Sequence, residues 1–185
     1  MRGRERIYGN LGYKVEYLPK REKFRGFPGP LFEPCIATDP QGNKFYCFAD
    51  RGGKTHRAMK VQDSIRHMAR ISEPSTDHVL VQVAPGELVW HLDKLTSIEE
   101  IARQLYEFAA DAKLAGICHR DIRPWNVFID EKSIVTVIDW DLSDGNASDI
   151  DRQDVDKFLR LMKGEIDFNT AWSWTLSWYP AWCRH

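Results

Sequence analysis

The stretch Cys118-His119-Arg120-Asp121-Ile122-Arg123-Pro124-Trp125-Asn126-Val127-Phe128-Ile129 decides the reading of this chain. Just before it, Ile98, Ile101, Leu105, Phe108, Ala109, Ala112 and Leu114 recur at the three- and four-residue steps of one helix face. With Ser97 at the N-cap position, Glu100 at the capping-box position and Gly116 at the stop, the pattern predicts a helix over 97–115. Just after it, Val127 to Asp130 and Ile134 to Ile138 are two short strand-like runs joined by Asp130-Glu131-Lys132-Ser133. The second run ends in Asp139-Trp140-Asp141. An isolated His-x-Asp in a loop is more often a turn than a reactive group. Here a polar loop, a hairpin and a strand-terminal acid follow one another in a fixed register, which points to a site.

Upstream, Tyr13 to Leu18, Leu31 to Thr38 and Lys44 to Asp50 are rich in β-branched and aromatic residues, and Asp39-Pro40-Gln41-Gly42-Asn43 supplies a hairpin turn between the last two. A small antiparallel sheet is expected. Between the first two strands, Pro19 to Pro30 reads as a basic, glycine-containing loop. Ala58, Val61, Ile65 and Met68 predict an amphipathic helix over Thr55 to Ser72, Pro74 to Asp77 a turn, and His78 to Ala84 an apolar strand. Downstream, Arg152 to Met162 reads as a helix stopped by Gly164. The tail from Phe168 carries Trp172, Trp174, Trp178, Tyr179 and Trp182, read as apolar cover for a small core or as a docking surface.

The 185 residues suffice for one sizeable core or two small lobes. A 43% hydrophobic and 29% charged composition is that of a soluble globular protein, and no apolar run is long enough to span a membrane. Met-Arg-Gly-Arg-Glu-Arg at the start is not followed by an apolar stretch, so a cytoplasmic protein is expected. A net charge of −1 excludes nucleic-acid binding driven by overall charge. Cys35, Cys47, Cys118 and Cys183 lack metal or redox spacing and read as free thiols.

The segment 118–126 resembles the catalytic loop of protein kinases, His-Arg-Asp-Leu-Lys-Pro-x-Asn, in order and spacing, and Val137-Ile138-Asp139-Trp140 stands where that superfamily has Asp-Phe-Gly. The resemblance implies an α+β, reduced bilobal protein-kinase-like fold. Residues 1–84 would form an N-lobe of small β-sheet plus one helix, and 85–185 a mainly helical C-lobe. It implies an ATP-dependent phosphotransferase using Mg²⁺ or Mn²⁺, because phosphoryl transfer relies on positioning and charge neutralisation. Asp139 and Asn126 would be the metal ligands, Asp121 the proton acceptor, and Arg123 a stabiliser of the transferred phosphate, with His119 holding the loop. Gln82, Val83 and Ala84 would lie beside adenine, Glu87 near the ribose, and Lys44, paired with Asp63, would position the phosphates, with Lys60 as the competing lysine. The opening Asp154 of the later helix would brace the catalytic loop.

Three departures from that pattern matter. No Val-Ala-x-Lys strand stands in an unambiguous place. Asp139-Trp140 is similar to aminoglycoside and choline kinases. Only a short segment separates Leu142 from Asp154, too short for a long activation segment, as in atypical minimal kinases of the RIO kind. The expected acceptor is Ser or Thr of a protein substrate, since Arg120 and Ile122-Arg123-Pro124 resemble protein kinases. The alternatives are a small-molecule kinase of the aminoglycoside phosphotransferase type and a nucleotide-binding pseudokinase.

Overall fold

The computed structural model describes residues 8–17, 35–49, 53–75, 78–89, 92 and 97–171. The Pro19–Pro30 loop, Cys183 and the tryptophans of the tail lie outside them. Five strands, β1 (Lys14–Tyr17), β2 (Cys35–Thr38), β3 (Lys44–Ala49), β4 (Ile71–Ser75) and β5 (His78–Gln82), form an antiparallel sheet in the order β1-β2-β3-β5-β4. The β2–β3 turn closes as its composition suggests. Asp39 Oδ1 accepts the Gln41 and Asn43 N–H groups at 2.9 and 2.7 Å, an Asx-type turn.

The sheet is apolar on both faces. On one face Cys35, Ala37, Cys47 and Leu80 are buried beneath Tyr8, with Val15 and Tyr17 beside them. On the other, Ile71, Val79 and Val81 join the main core. That core continues through the helices α2 (Ile98–Leu114) and α3 (Ile150–Met162), where Ile101, Leu105, Phe108, Val155 and Phe158 are buried at helical spacing. The architecture is α+β, a small antiparallel sheet followed by helices, as in a reduced kinase-like fold.

The expected helix over Thr55 to Ser72 is corrected. A short helix, α1 (Lys54–Met59), ends at Lys60, a 3₁₀ turn covers Gln62–Ser64, a further turn at Arg66 and His67 sets His67 at φ 61°, and from Met68 the chain runs on into β4. Ala58, Ile65 and Ala69 nevertheless all reach the same core, so wrapping around one apolar surface imitates a helical repeat. The stretch 66–69 serves as a strap. Ala69 N–H donates to the Val137 carbonyl at 3.1 Å and Val137 N–H to the His67 carbonyl at 2.7 Å, while Arg66 makes two guanidinium bonds to Asp111 on α2.

A second sheet, β6 (Glu87–Leu88), β7 (Val127–Ile129) and β8 (Val135–Val137), underlies the site. Gly86 is required to bring β6 onto β7: its φ is +86°, and a Cβ there would lie 2.0 Å from the Ile129 carbonyl oxygen. Ser97 precedes α2 but makes no side-chain cap bond, and Glu100 instead pairs with Arg103 and Gln104. No described helix is long and apolar enough to cross a membrane.

Candidate active site

The 118–126 loop hangs from the start of α3. Asp151, in the first helical turn, accepts the N–H groups of His119 and Arg120, both at 2.7 Å. Asp154, one turn further on the same face, lies 3.2 Å from Lys157 Nζ. The bracing role expected of Asp154 therefore falls mainly to Asp151, because the helix begins at Ile150 rather than Arg152. Both carboxyls are buried. Burial pushes Asp151 up to about 6 against the pull of its two N–H donors, and raises Asp154 as well. These bonds hold Arg120 at φ 67°, a left-handed conformation that costs a non-glycine residue about 1–2 kcal/mol. The return segment closes behind the loop: Cys118 and Asp144 exchange two backbone bonds at 3.0 Å, and Arg120 pairs with the Asp144 carboxylate.

His119 joins the loop to the strand that ends in Asp139. It is fully buried, and desolvation lowers it to about 4, so the ring is neutral near pH 7. Its Nε2 lies 2.9 Å from the Ile138 carbonyl and must carry the proton, which leaves Nδ1 to accept the Asp121 N–H at 3.2 Å. Phe108 and Trp140 pack against the ring at 5.7 and 4.6 Å between centroids. Trp140 takes the buried place of an apolar aromatic after Asp139, and its size closes the gap between α2 and the loop.

Asp121 is held from two sides. Asn126 Nδ2 donates to Asp121 Oδ2 at 2.8 Å and to its carbonyl at 3.0 Å, while the Arg123 guanidinium contacts Oδ1. Arg123 is itself buried and stacks on Trp125 at 4.6 Å. Burial raises the Asp121 carboxyl, and Arg123 and Asn126 oppose that rise. With its amide nitrogen committed to Asp121, Asn126 turns its amide oxygen the other way. Its carbonyl receives the Ile138 N–H at 2.9 Å, so the residue preceding Asp139 is bonded directly to the loop.

Asp139 stands at φ 69°, and its Oδ1 accepts the Asp141 N–H at 3.4 Å. Desolvation first, and then the neighbouring charges of Asp141 and Asp121, push its carboxyl up to about 7. Asp121, Asn126 and Asp139 therefore form one cluster, not three separate surfaces. Its surplus of negative charge is what a divalent cation would relieve. Among the described residues no group of three or more His, Cys, Asp or Glu side chains is gathered around a common point for a metal. Two carboxylates and an amide fit the way Mg²⁺ is usually held, by few protein oxygens completed by phosphates.

The facing wall is built differently. A cavity of ≈ 20 Å³ lies between Tyr46 and Val81 of the sheet, Thr55 of α1, and residues 138–141. That is room for about one water. Lys44 is exposed at the outer end of β3, and among the described residues it makes no ion pair. Its expected partner, Asp63, is bound to Arg70, which corrects the Lys44–Asp63 pair. Lys60 is also exposed. The Gln82 N–H donates to the Arg70 carbonyl at 2.7 Å and the Val83 N–H to the Lys44 carbonyl at 2.9 Å. Ala84 is buried and Glu87 exposed on β6. Asp151, Tyr46 and Thr55 had no signal in the motif. Asp151 was legible only from where α3 begins, and the other two only from strand and helix register.

Residues 53–144 match the model of the phosphotransferase enzyme family. The matched stretch runs from the start of α1 through Asp144 and includes the loop, the hairpin and Asp139, while β1 to β3 fall outside it. No curated protein matches the chain. The family match supports a phosphotransferase of the kinase-like superfamily.

Proposed function

We propose that this chain transfers the γ-phosphoryl group of ATP, with Mg²⁺ or Mn²⁺, to a hydroxyl of a small molecule. The observation that carries the reading is the bonded cluster of Asp121 and Asn126, 2.8 Å apart, joined to the Asp139 strand by the Ile138 N–H, which donates to the Asn126 carbonyl at 2.9 Å. Asp139 and the Asn126 amide oxygen would hold the cation, which would neutralise charge on the phosphate oxygens. Asp121 orients the acceptor hydroxyl and takes its proton, a role suited to a carboxyl whose affinity for protons is raised by burial. Arg123 fixes the Asp121 carboxylate and places positive charge beside the transferred group.

The nucleotide side requires movement. Ligand pockets are typically about 300–1,000 Å³, against ≈ 20 Å³ here, so ATP enters as the sheet lifts from residues 138–141. Ala84 then meets the base, since the Gln82 and Val83 N–H groups are committed inward, Glu87 reaches the ribose, and Lys44 the phosphates.

The family match, Asp139-Trp140 and the short return segment from Leu142 to Asp149 support a small-molecule acceptor. A second reading, Ser or Thr of a protein, draws on the His119-Arg120-Asp121 sequence. The narrow cleft favours a third, a nucleotide-binding pseudokinase. The purified protein with γ-labelled ATP and Mg²⁺ should be offered aminoglycosides, choline and Ser/Thr peptides side by side. Label on a small molecule is expected. Label on peptide alone selects the protein kinase, and ATP binding without transfer selects the pseudokinase.

A further inference from the structure

We infer that His67 is a proton-operated clamp: as an imidazolium it ties the strap over 66–69 to α2 and β8 together, and on losing its proton it loosens that strap. The ring sits between two oxygens. Nδ1 lies 3.3 Å from the Val135 carbonyl on β8, and Nε2 lies 3.3 Å from Glu107 Oε2 on α2. A carbonyl and a carboxylate only accept, so each nitrogen has to donate. Neutral imidazole carries one N–H, and whichever nitrogen holds it, the other turns a lone pair towards an oxygen. Only the doubly protonated ring satisfies both contacts. His119 is the contrast, since its ring faces one carbonyl and one N–H and is satisfied when neutral.

The charges around the ring call for one more cation. From α2, Glu100, Glu107 and Asp111 act on it. Arg103, also on α2, pairs with Glu100 and Glu107 at 2.5 Å each, and Arg66 on the strap pairs with Glu107 at 3.3 Å and Asp111 at 2.8 Å. β8 presents Val135, Thr136 and Val137, none of which titrates. Three carboxylates thus meet two guanidiniums, and the imidazolium closes the balance. The bond from His67 is also the largest influence holding the Glu107 carboxyl below its ordinary value. With 15% of its side chain exposed, His67 is screened less by salt than Arg66 at 57%.

What the clamp holds is the approach to Asp139. Val137, two residues before it, gives its N–H to the His67 carbonyl at 2.7 Å and takes the Ala69 N–H at 3.1 Å, so the strap lies along the strand that leads to that acid. His67 stands at φ 61°, a left-handed region that a residue with a Cβ keeps only where its surroundings fix it. The chain continues into β4 at Ile71, so the clamp joins the five-stranded sheet to the second sheet. Arg66 keeps its charge as the pH changes, which leaves 67–69 as the part that the proton governs. None of this depends on the phosphotransfer reading.

The test follows the His67 ring nitrogens by ¹⁵N NMR in the folded full chain from about pH 5 to about pH 9, spanning the range in which histidines titrate, with His67→Gln to identify the signals. At the acid end both nitrogens should read as protonated. As the ring titrates, the Ala69 and Val137 amides, corrected for base-catalysed exchange, should lose protection from hydrogen exchange by about tenfold, a usual size for the coupling of two events. Glu107→Gln should move both the titration and the loss of protection to lower pH. If His67→Gln fails to fold, that move in Glu107→Gln identifies the ring and decides the matter. A ring that stays singly protonated, or stays charged, across the whole interval would overturn the inference. So would unchanged protection while the ring titrates, or a Glu107→Gln profile that coincides with that of the unsubstituted chain.

Discussion

The wall of the cleft that carries Asp121, Asn126 and Asp139 is tied down through its backbone, whereas the facing wall at Tyr46, Thr55 and Val81 adjoins it across a small cavity. On the first wall the N–H groups of His119, Arg120, Asp121, Asn126 and Ile138 all have acceptors within the site or in α3. On the second, Tyr46 and Val81 close over a cavity of ≈ 20 Å³ and Lys44 is exposed. On the proposed function the difference is one of task. Groups that stabilise a developing charge gain from being fixed beforehand, while a wall that admits a nucleotide must yield.

The largest effect expected is on the fixed wall. Asp139→Ala should lower metal-dependent transfer by about 10²–10³-fold or more, the scale of removing a preorganised electrostatic group. It should leave Tm unchanged or raised, because burial disfavours this carboxylate. Steady-state assays and thermal melts on the same preparation check both. A large loss of Tm would mean that Asp139 holds the fold rather than a cation.

Next comes the brace. Asp151→Ala strands one buried and one part-buried N–H group and should cost about 2–4 kcal/mol by urea unfolding. An effect under half a kcal/mol would deny that the loop is held from α3. The same residue makes a pH prediction. Its carboxyl titrates near 6 in the folded chain against about 3.9 when unfolded. Between those values the folded state keeps a proton that the unfolded state has lost, so its contribution is full below pH ~4 and is lost as pH rises through ~6. Asp151→Asn should therefore gain stability relative to the unsubstituted chain over that interval. A difference that stays flat in urea melts from pH 4 to 7 contradicts the shift.

The smallest effect is assigned to the yielding wall. Lys44→Ala should reduce transfer less than about tenfold, under 1.4 kcal/mol of transition-state energy. A loss equal to that of Asp139→Ala would show that both walls are preorganised, and the contrast would fail.

Much of the fixed wall was legible in the sequence because its signals are local. The helical repeat from Ile98 to Leu114, the Asp130 turn and the apolar run ending at Asp139 each specify an element without reference to distant residues. The facing wall was less legible because its geometry is set by packing. Ala58, Val61, Ile65 and Met68 have helical spacing, yet only the first lies in α1, and the rest follow the core surface as turn and extended chain. Asp63 has the right separation from Lys44 for an ion pair but lies next to Arg70, a choice no spacing rule makes. The resemblance pointed to Asp154 as the brace, and the start of α3 at Ile150, two residues before the expected Arg152, gives that role mainly to Asp151.

The central claim is that Asp121, Asn126 and Asp139 act as one cation-dependent centre. Titration of Mn²⁺ with ATP into the unsubstituted chain and into Asp139→Ala and Asn126→Ala, followed by electron paramagnetic resonance, tests it most directly. The account predicts tightly held Mn²⁺ that needs ATP and is weakened in both variants. Equal Mn²⁺ binding by all three proteins would contradict it.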